Sequence, residues 1–143
     1  MQWIADLHLH SRFSMATSRD LNIPNIARGC HRKGINLVGT GDLTHPVWLD
    51  EIEAVLEPAG PGIYQYQGIH FILSGEVSQV YRQNGKARRI HNLIYVPDFK
   101  TARELNRQLD KYGKLASDGR PTLSLDGMSL VKLCKSINPD IEI

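Results

Sequence analysis

The chain has 143 residues and a formal net charge of +2, from 17 Lys and Arg against 15 Asp and Glu. That length supports one domain with a real core, and the near balance of charge neither requires nor excludes nucleic acid. No apolar run is long enough to span a membrane, the first strand pattern leaves no room for a signal peptide, and Cys30 and Cys134 lack Cys or His at finger spacing, so they read as core thiols of a cytoplasmic protein.

In chain order, residues 3–8 read as a buried strand and residues 8–18 as the loop beyond its C-terminal end. Asn22 caps a helix with Pro24 in its first turn, carries Ile23, Ile26, Ala27 and Cys30 on one face, and stops at Gly34. Residues 35–39 form a second short apolar run, followed by a helix from Pro46 to about Glu57. Strand, helix, strand, helix favours parallel strands with right-handed crossovers. Residues 58–68 are a breaker-rich connection. Residues 69–81 carry the longest strand signal, Asn84-Gly85 marks a hairpin turn, and a return strand runs from about Lys86 to Val96. Residues 101–112 show an amphipathic helix, residues 113–121 a loop, and Asp126 caps a last helix over residues 128–137. Residues 141–143 look like entry to another strand, so the sequence reads as the front part of a longer domain, because an unpaired sheet edge is a liability.

The stretch Asp6-Leu7-His8-Leu9-His10 organises the chemistry. Alternate residues on a strand share a face, so His8 and His10 project together and can reach one metal ion or two adjacent ones. Asp42 and His45 follow the second strand, Glu76 lies in the third, and His91 lies in the strand paired with it. Sites in parallel α/β architectures form at the C-terminal ends of strands. Imidazole and carboxylate without thiolate suit zinc, manganese or iron. Glu76 sits in a strongly apolar strand, where an unpaired carboxylate is costly, so it needs an Arg or a metal as partner. A carboxylate there can bridge two ions, and two ions about 3.5–4 Å apart suit phosphoryl chemistry. Each residue also has a plainer role open to it: Asp42 as a helix cap, His45 as a loop residue, His91 as a core histidine. His31 and His70 have no supporting context and read as structural.

Taken together, Asp6 to Ser11, Gly41-Asp42 through His45, Gly75-Glu76 and His91 resemble the PHP (polymerase and histidinol phosphatase) family of metal-dependent phosphoesterases. Within it, residues 5–18, 38–46, 74–78 and 117–121 are most similar to the endonuclease Q-like branch. The resemblance spans essentially the whole chain. It implies an α/β fold, a PHP-type distorted (βα)7 barrel of which this is an incomplete N-terminal portion. It implies up to three divalent ions (zinc, manganese or iron) in the complete domain, with His8, His10, Asp42, Glu76 and His91 as ligands. Glu76, Asp42 and His45 are the implied catalytic set. Which of Asp42 and His45 is the ligand stays open; Asp42 is favoured, with His45 ligating or orienting phosphate. Asp6 would hold a histidine ring through its other nitrogen.

The implied activity is a DNA repair endonuclease. It cuts 5′ of deaminated bases such as uracil or hypoxanthine, by attack of metal-bound hydroxide. Damaged or deaminated DNA is the implied partner. Arg82, Lys86, Arg88 and Arg89 on the hairpin fit phosphate contacts or, equally, a charge-protected edge strand. Arg12 and Arg120 lie in loops that can face the metals. Two other readings remain: a phosphatase for a small phosphomonoester, and a non-catalytic truncated product that self-associates through exposed strand edges.

Overall fold

Asn22 and Gly34 bracket the first helix in the computed structural model, which describes residues 2–143. The Asn22 side chain accepts from the Asn25 N–H, and Gly34 takes the left-handed conformation (φ 70°) that ends α1, Ile23–Lys33. Ile23, Ile26, Ala27 and Cys30 are buried, as their helical spacing requires. The other helices are α2 (Pro46–Val55), α3 (Phe99–Leu109) and α4 (Gly127–Ile137). Asp98 and Asp126 cap α3 and α4 through their side chains.

Seven strands form one mixed sheet: β1 (Ala5–Asp6), β2 (Leu37–Gly39), β3 (Glu57–Gly60), β4 (Ile63–Tyr66), β5 (Ile69–Gln83), β6 (Lys86–Val96) and β7 (Thr122–Leu123). The path runs β1-β2-β5-β4-β3, with β6 and β7 also on β5. β1, β2 and β5 are parallel, as are β5 and β7, while β3, β4 and β6 run antiparallel to their neighbours. The 15-residue β5 is therefore the spine. Its first residues pair with β2 and β4, and the remainder pairs with β6 and β7. Asn84 (φ 51°) and Gly85 (φ 73°) turn the β5–β6 hairpin with two consecutive positive φ values, the type I′ pattern that matches strand twist.

Trp48, Phe71, Leu73, Ile94, Leu105 and Leu130 anchor the core and are each essentially inaccessible to solvent. The core thus joins three of the helices to the β5–β6 pair. No helix among the described residues is long and apolar enough to cross a membrane.

Two expectations need correction. The strand expected over residues 3–8 contracts to Ala5–Asp6 and lies at a sheet edge, where Trp3 and Ile4 are 44% and 49% exposed. An apolar run signals burial only when something packs on it. Residues 58–68, expected as a connection, contain most of the antiparallel pair β3–β4; its turn uses Gly60 and Gly62 at positive φ. The glycines punctuate strands here rather than replacing them. The opening strands pair in parallel and the Asn84-Gly85 hairpin pairs antiparallel, as expected, so the sheet is mixed. β7 begins directly after the loop expected over residues 113–121 and bonds to β5 at Ser78 and Gln79. The final residues do meet a strand: Tyr95 and Glu142 exchange backbone hydrogen bonds at 2.9 and 3.0 Å, and Ile141 is fully buried.

Candidate metal centre

Parallel pairing of β1 with β2, and of β2 with β5, brings the C-terminal ends of β1 and β2 beside the middle of β5. The turn after β2 clings to the edge of β5: Leu43 N–H donates to the Ser74 carbonyl at 3.0 Å, and Gly41 N–H to Ser74 Oγ at 3.0 Å. A Cβ on Gly75 would lie 3.1 Å from the Leu43 backbone nitrogen, so glycine permits this close approach. Glu76 follows directly and turns its carboxylate toward the loop after β1.

Three imidazoles converge on that carboxylate. His8 Nε2 lies 2.8 Å from Glu76 Oε2, and His10 Nε2 lies 3.2 Å from the same oxygen. His91 Nδ1 lies 2.5 Å from Oε1. The ligand atoms of His8, His10 and Glu76 all fall within 4.8 Å of one another. Around a tetrahedral ion with bonds near 2.1 Å, neighbouring donor atoms stand about 3.4 Å apart. A small outward movement of the rings would therefore admit an ion. The Glu76 side chain is 8% exposed, while those of His8 and His91 are about half exposed, so the cluster is floored by protein and open on one side. Burial pushes the Glu76 carboxyl up, but hydrogen bonds from His8 and His91 and the charge of His10 outweigh it, leaving Glu76 below the usual carboxylate range.

Asp42 stands one step behind. It is fully buried and adopts a positive φ of 50°. Its Oδ1 accepts from His10 Nδ1 at 3.0 Å. Its Oδ2 accepts from Ser11 N–H and Ser11 Oγ, both at 2.7 Å, and from Ser14 Oγ at 2.9 Å. Burial raises its carboxyl, and these four hydrogen bonds more than reverse that, so it stays ionised. An ionised carboxylate only accepts, so His10 Nδ1 carries a proton, and Nε2 is the nitrogen that can offer a lone pair to a cation when the ring is neutral. Asp42 is thus placed where Asp6 was expected, holding a histidine ring from behind, and its oxygens are not among the converging ligand atoms. Asp6 instead accepts from the His8 backbone N–H at 3.3 Å.

His45 is likewise not at the cluster. It is the N-cap of α2: its Nδ1 accepts from the Trp48 N–H at 3.4 Å. Its ring stacks on Phe13, with centroids 4.2 Å apart. Burial is the main reason its pKa falls, against a hydrogen bond with the Ala116 backbone and the charge of Asp42, so it is a neutral cap. Asp42, the alternative cap, is excluded from that role by its own partners. Of the expected arginines, Arg12 pairs with Glu51 at 2.5 Å and lies over the Phe13 ring rather than toward the histidines. Cross-strand pairs place Arg82 and Arg89 on the ribbon face that carries Glu76 and His91, and Lys86 and Arg88 on the opposite face. Arg82 sits six residues beyond Glu76, about 20 Å along the strand. His31 and His70 stay apart: His31 bonds the Gln67 carbonyl, and His70 packs edge-on against Trp3.

Ser11, Ser14, Lys114, Asp118 and Gly119 escaped the sequence reading. Asp118 ties two loops by accepting from Met15 N–H at 2.9 Å and Arg120 N–H at 2.8 Å. Gly119 lies so close to Asp42 that a Cβ would collide with its carboxylate and with Ser14 Oγ. The two serines three residues apart, just after His-x-His, were the available signal for a buried acceptor.

Comparisons with known proteins place this geometry. No family model matches the chain. An uncharacterized protein of Methanocaldococcus jannaschii is 37% identical over 133 residues, covering 92% of this chain and 15% of that protein. The crystal structure of the lesion-specific endonuclease PfuEndoQ from Pyrococcus furiosus superposes with a TM-score of 0.83 at 32% identity, over 96% of this chain and 32% of that one. Endonuclease Q in complex with a 27-mer duplex bearing an abasic lesion at the active site superposes at 0.84 with 35% identity, over 96% and 33%. The chain therefore spans about a third of the solved proteins it matches, and less of the curated one.

Proposed function

We propose that this chain supplies a metal-binding, phosphodiester-hydrolysing site of endonuclease Q type, acting in DNA repair. The observation that carries the reading is Glu76, whose two oxygens face different imidazoles: Oε2 meets His8 and His10, and Oε1 meets His91. A carboxylate so divided suits a bridge between two cations. His8, His10 and Glu76 would hold one ion, with Glu76 and His91 contributing to a second. The donor set of imidazole and carboxylate fits zinc, manganese or iron. A divalent ion held there supplies Lewis acidity toward a phosphate oxygen and acidifies water near neutral pH.

The chain's own residues prepare that chemistry. Asp42 fixes the His10 ring and its tautomer, and Ser11 and Ser14 fix Asp42. Glu76 supplies negative charge from a partly dry floor. DNA as partner is supported by the similar endonuclease captured on a lesion-bearing duplex. The distorted (βα)7 barrel, a third ion, and cutting 5′ of uracil or hypoxanthine rest on the PHP resemblance. The edge of β1, which pairs only with β2 among the described residues, with Trp3, Ile4 and Leu7 exposed, also supports self-association at high concentration; a sedimentation coefficient independent of concentration would remove it.

Elemental analysis of the chain purified without added metal, beside incision of a duplex carrying an abasic or deaminated base, tests the function. The expected outcome is at least one equivalent of metal, lost in His8→Ala, and incision lost in Glu76→Gln. Phosphate release from a small monoester without incision would favour the phosphatase instead. Retained incision by Glu76→Gln would overturn the bridging role.

A further inference from the structure

The face of the β5–β6 ribbon that carries Glu76 continues past His91 into a cavity of about 620 Å³. Ser78 and Arg89 line it from the two strands, Lys114, Asp118 and Arg120 line it from the loop before β7, and His91 forms its inner wall. Ser78 pairs directly with His91 across the strands, so the cavity begins where the imidazole cluster ends. Its volume is within the range of small-ligand sites. Three cations face it against one carboxylate. That carboxylate, Asp118, is already occupied by the Met15 and Arg120 backbone N–H groups. Arg120 is held in place by this clasp and by a bond from Nη2 to the Met15 carbonyl at 3.3 Å. Neither Arg89 nor Lys114 makes an ion pair among the described residues. Cations without partners beside a metal cluster are arranged for an anion that arrives with the substrate.

We infer that this cavity is a phosphodiester subsite. It takes the DNA backbone next to the linkage at the metal cluster, and Arg89, Lys114 and Arg120 are its anion contacts. The ligand's identity rests on the nuclease reading, but the cavity and its charge do not. The subsite lies along the ribbon toward Arg89, so the strand leaves the cluster past His91. The hairpin tip and the opposite face, with Lys86 and Arg88, take no part. Asp118 acts as a positioning residue, because it sets the loop that presents Arg120.

The test is binding of a fluorescent 27-mer duplex with an abasic site, measured over a salt series with EDTA present so that metal occupancy does not enter. For the intact chain, log Kobs should fall linearly with log salt. Arg89→Gln with Arg120→Gln should weaken binding at least tenfold at low salt. It should also lower the slope by about 2, roughly one for each phosphate no longer neutralised. Lys100→Gln with Lys132→Gln, which removes the same charge from α3 and α4, should leave both within twofold. Urea unfolding and metal content of the Arg89/Arg120 variant should match the intact chain, which separates a missing charge from a disturbed fold. A larger loss in Lys86→Gln with Arg88→Gln, an equal loss in the Lys100/Lys132 control, tighter binding of the corresponding RNA, or no measurable binding would each overturn the subsite. A chain that binds metal yet fails here loses the subsite alone. A chain without metal that passes keeps the subsite and loses the metal centre.

Discussion

The carboxylate of Asp42 and the ring of His10 meet at 3.0 Å, with Asp42 wholly enclosed and His10 facing outward to Glu76. The pair converts a buried charge into a fixed orientation at the surface. Removing it should therefore act twice. Asp42→Ala leaves Ser11 N–H, both serine hydroxyls and His10 without their acceptor, and should cost roughly 3–5 kcal/mol in urea unfolding. Asp42→Asn keeps the shape and loses the charge. It should lower metal affinity about 10–100-fold with a smaller loss of stability. Unchanged metal affinity in Asp42→Asn would show that His10 needs no orientation.

Gly119 and Gly29 make a pair of opposite sign. A methyl group on Gly119 meets the Asp42 carboxylate and Ser14 Oγ, so Gly119→Ala should destabilise by about 1–3 kcal/mol. A methyl group on Gly29, within α1, meets nothing within 4 Å. Gly29→Ala should stabilise by about 0.5–1 kcal/mol through helix propensity alone. Chemical denaturation of the two variants side by side reads both signs.

His45→Ala removes an N-cap and a stacking partner of Phe13. The cost should be about 1–2 kcal/mol, the two effects together. Its metal content should equal that of the intact chain, because no His45 atom joins the cluster. A stoichiometric loss of metal in this variant would return His45 to the ligand set.

Both thiols should be silent. Burial pushes the Cys134 thiol up to about 11 and raises that of Cys30, and both residues are buried. A thiol above its ordinary pKa holds little thiolate at pH 8, and the thiolate is the reactive form. A colorimetric disulfide reagent at pH 8 should detect no thiol in the native chain and two after unfolding in urea. Rapid native reaction would mean that α1 or α4 opens readily.

The sequence made the helices legible because their ends carry chemical marks. Asn22, Gly34 and Asp126 each satisfy orphan backbone groups at a helix end, whereas α3 was legible only from its apolar spacing and not from its cap, Asp98. Asn84-Gly85 was equally readable, since few residues tolerate two successive positive φ values. His8 and His10 were visible as residue types beyond the end of a strand, and Glu76 and His91 as metal-ligating types within two paired strands. The partnership of Asp42 with Ser11 and Ser14 was not. It depends on a loop folding back across two strands, and nothing local in Gly41-Asp42-Leu43 announces which way the carboxylate turns. Asp6 and Asp42 were exchangeable by residue type, and only the third dimension separates them. β3 and β4 were hidden for a different reason: Pro58, Gly60 and Gly62 look like loop chemistry, yet an edge hairpin tolerates all three.

The shared spine has a consequence in time. β5 holds β2 from earlier in the chain and β4, β6 and β7 from nearer its own position or later. His8 and Glu76 are 68 residues apart in sequence, so the cluster closes only after a long loop has done so. Contacts of that span slow the search for the native state. On a ribosome the two leading histidines emerge first and must wait, unpaired, for the strand that completes them. An ion that stabilises the finished cluster has no complete site to bind in the nascent chain, so metal loading should follow the folding of β5 rather than guide it.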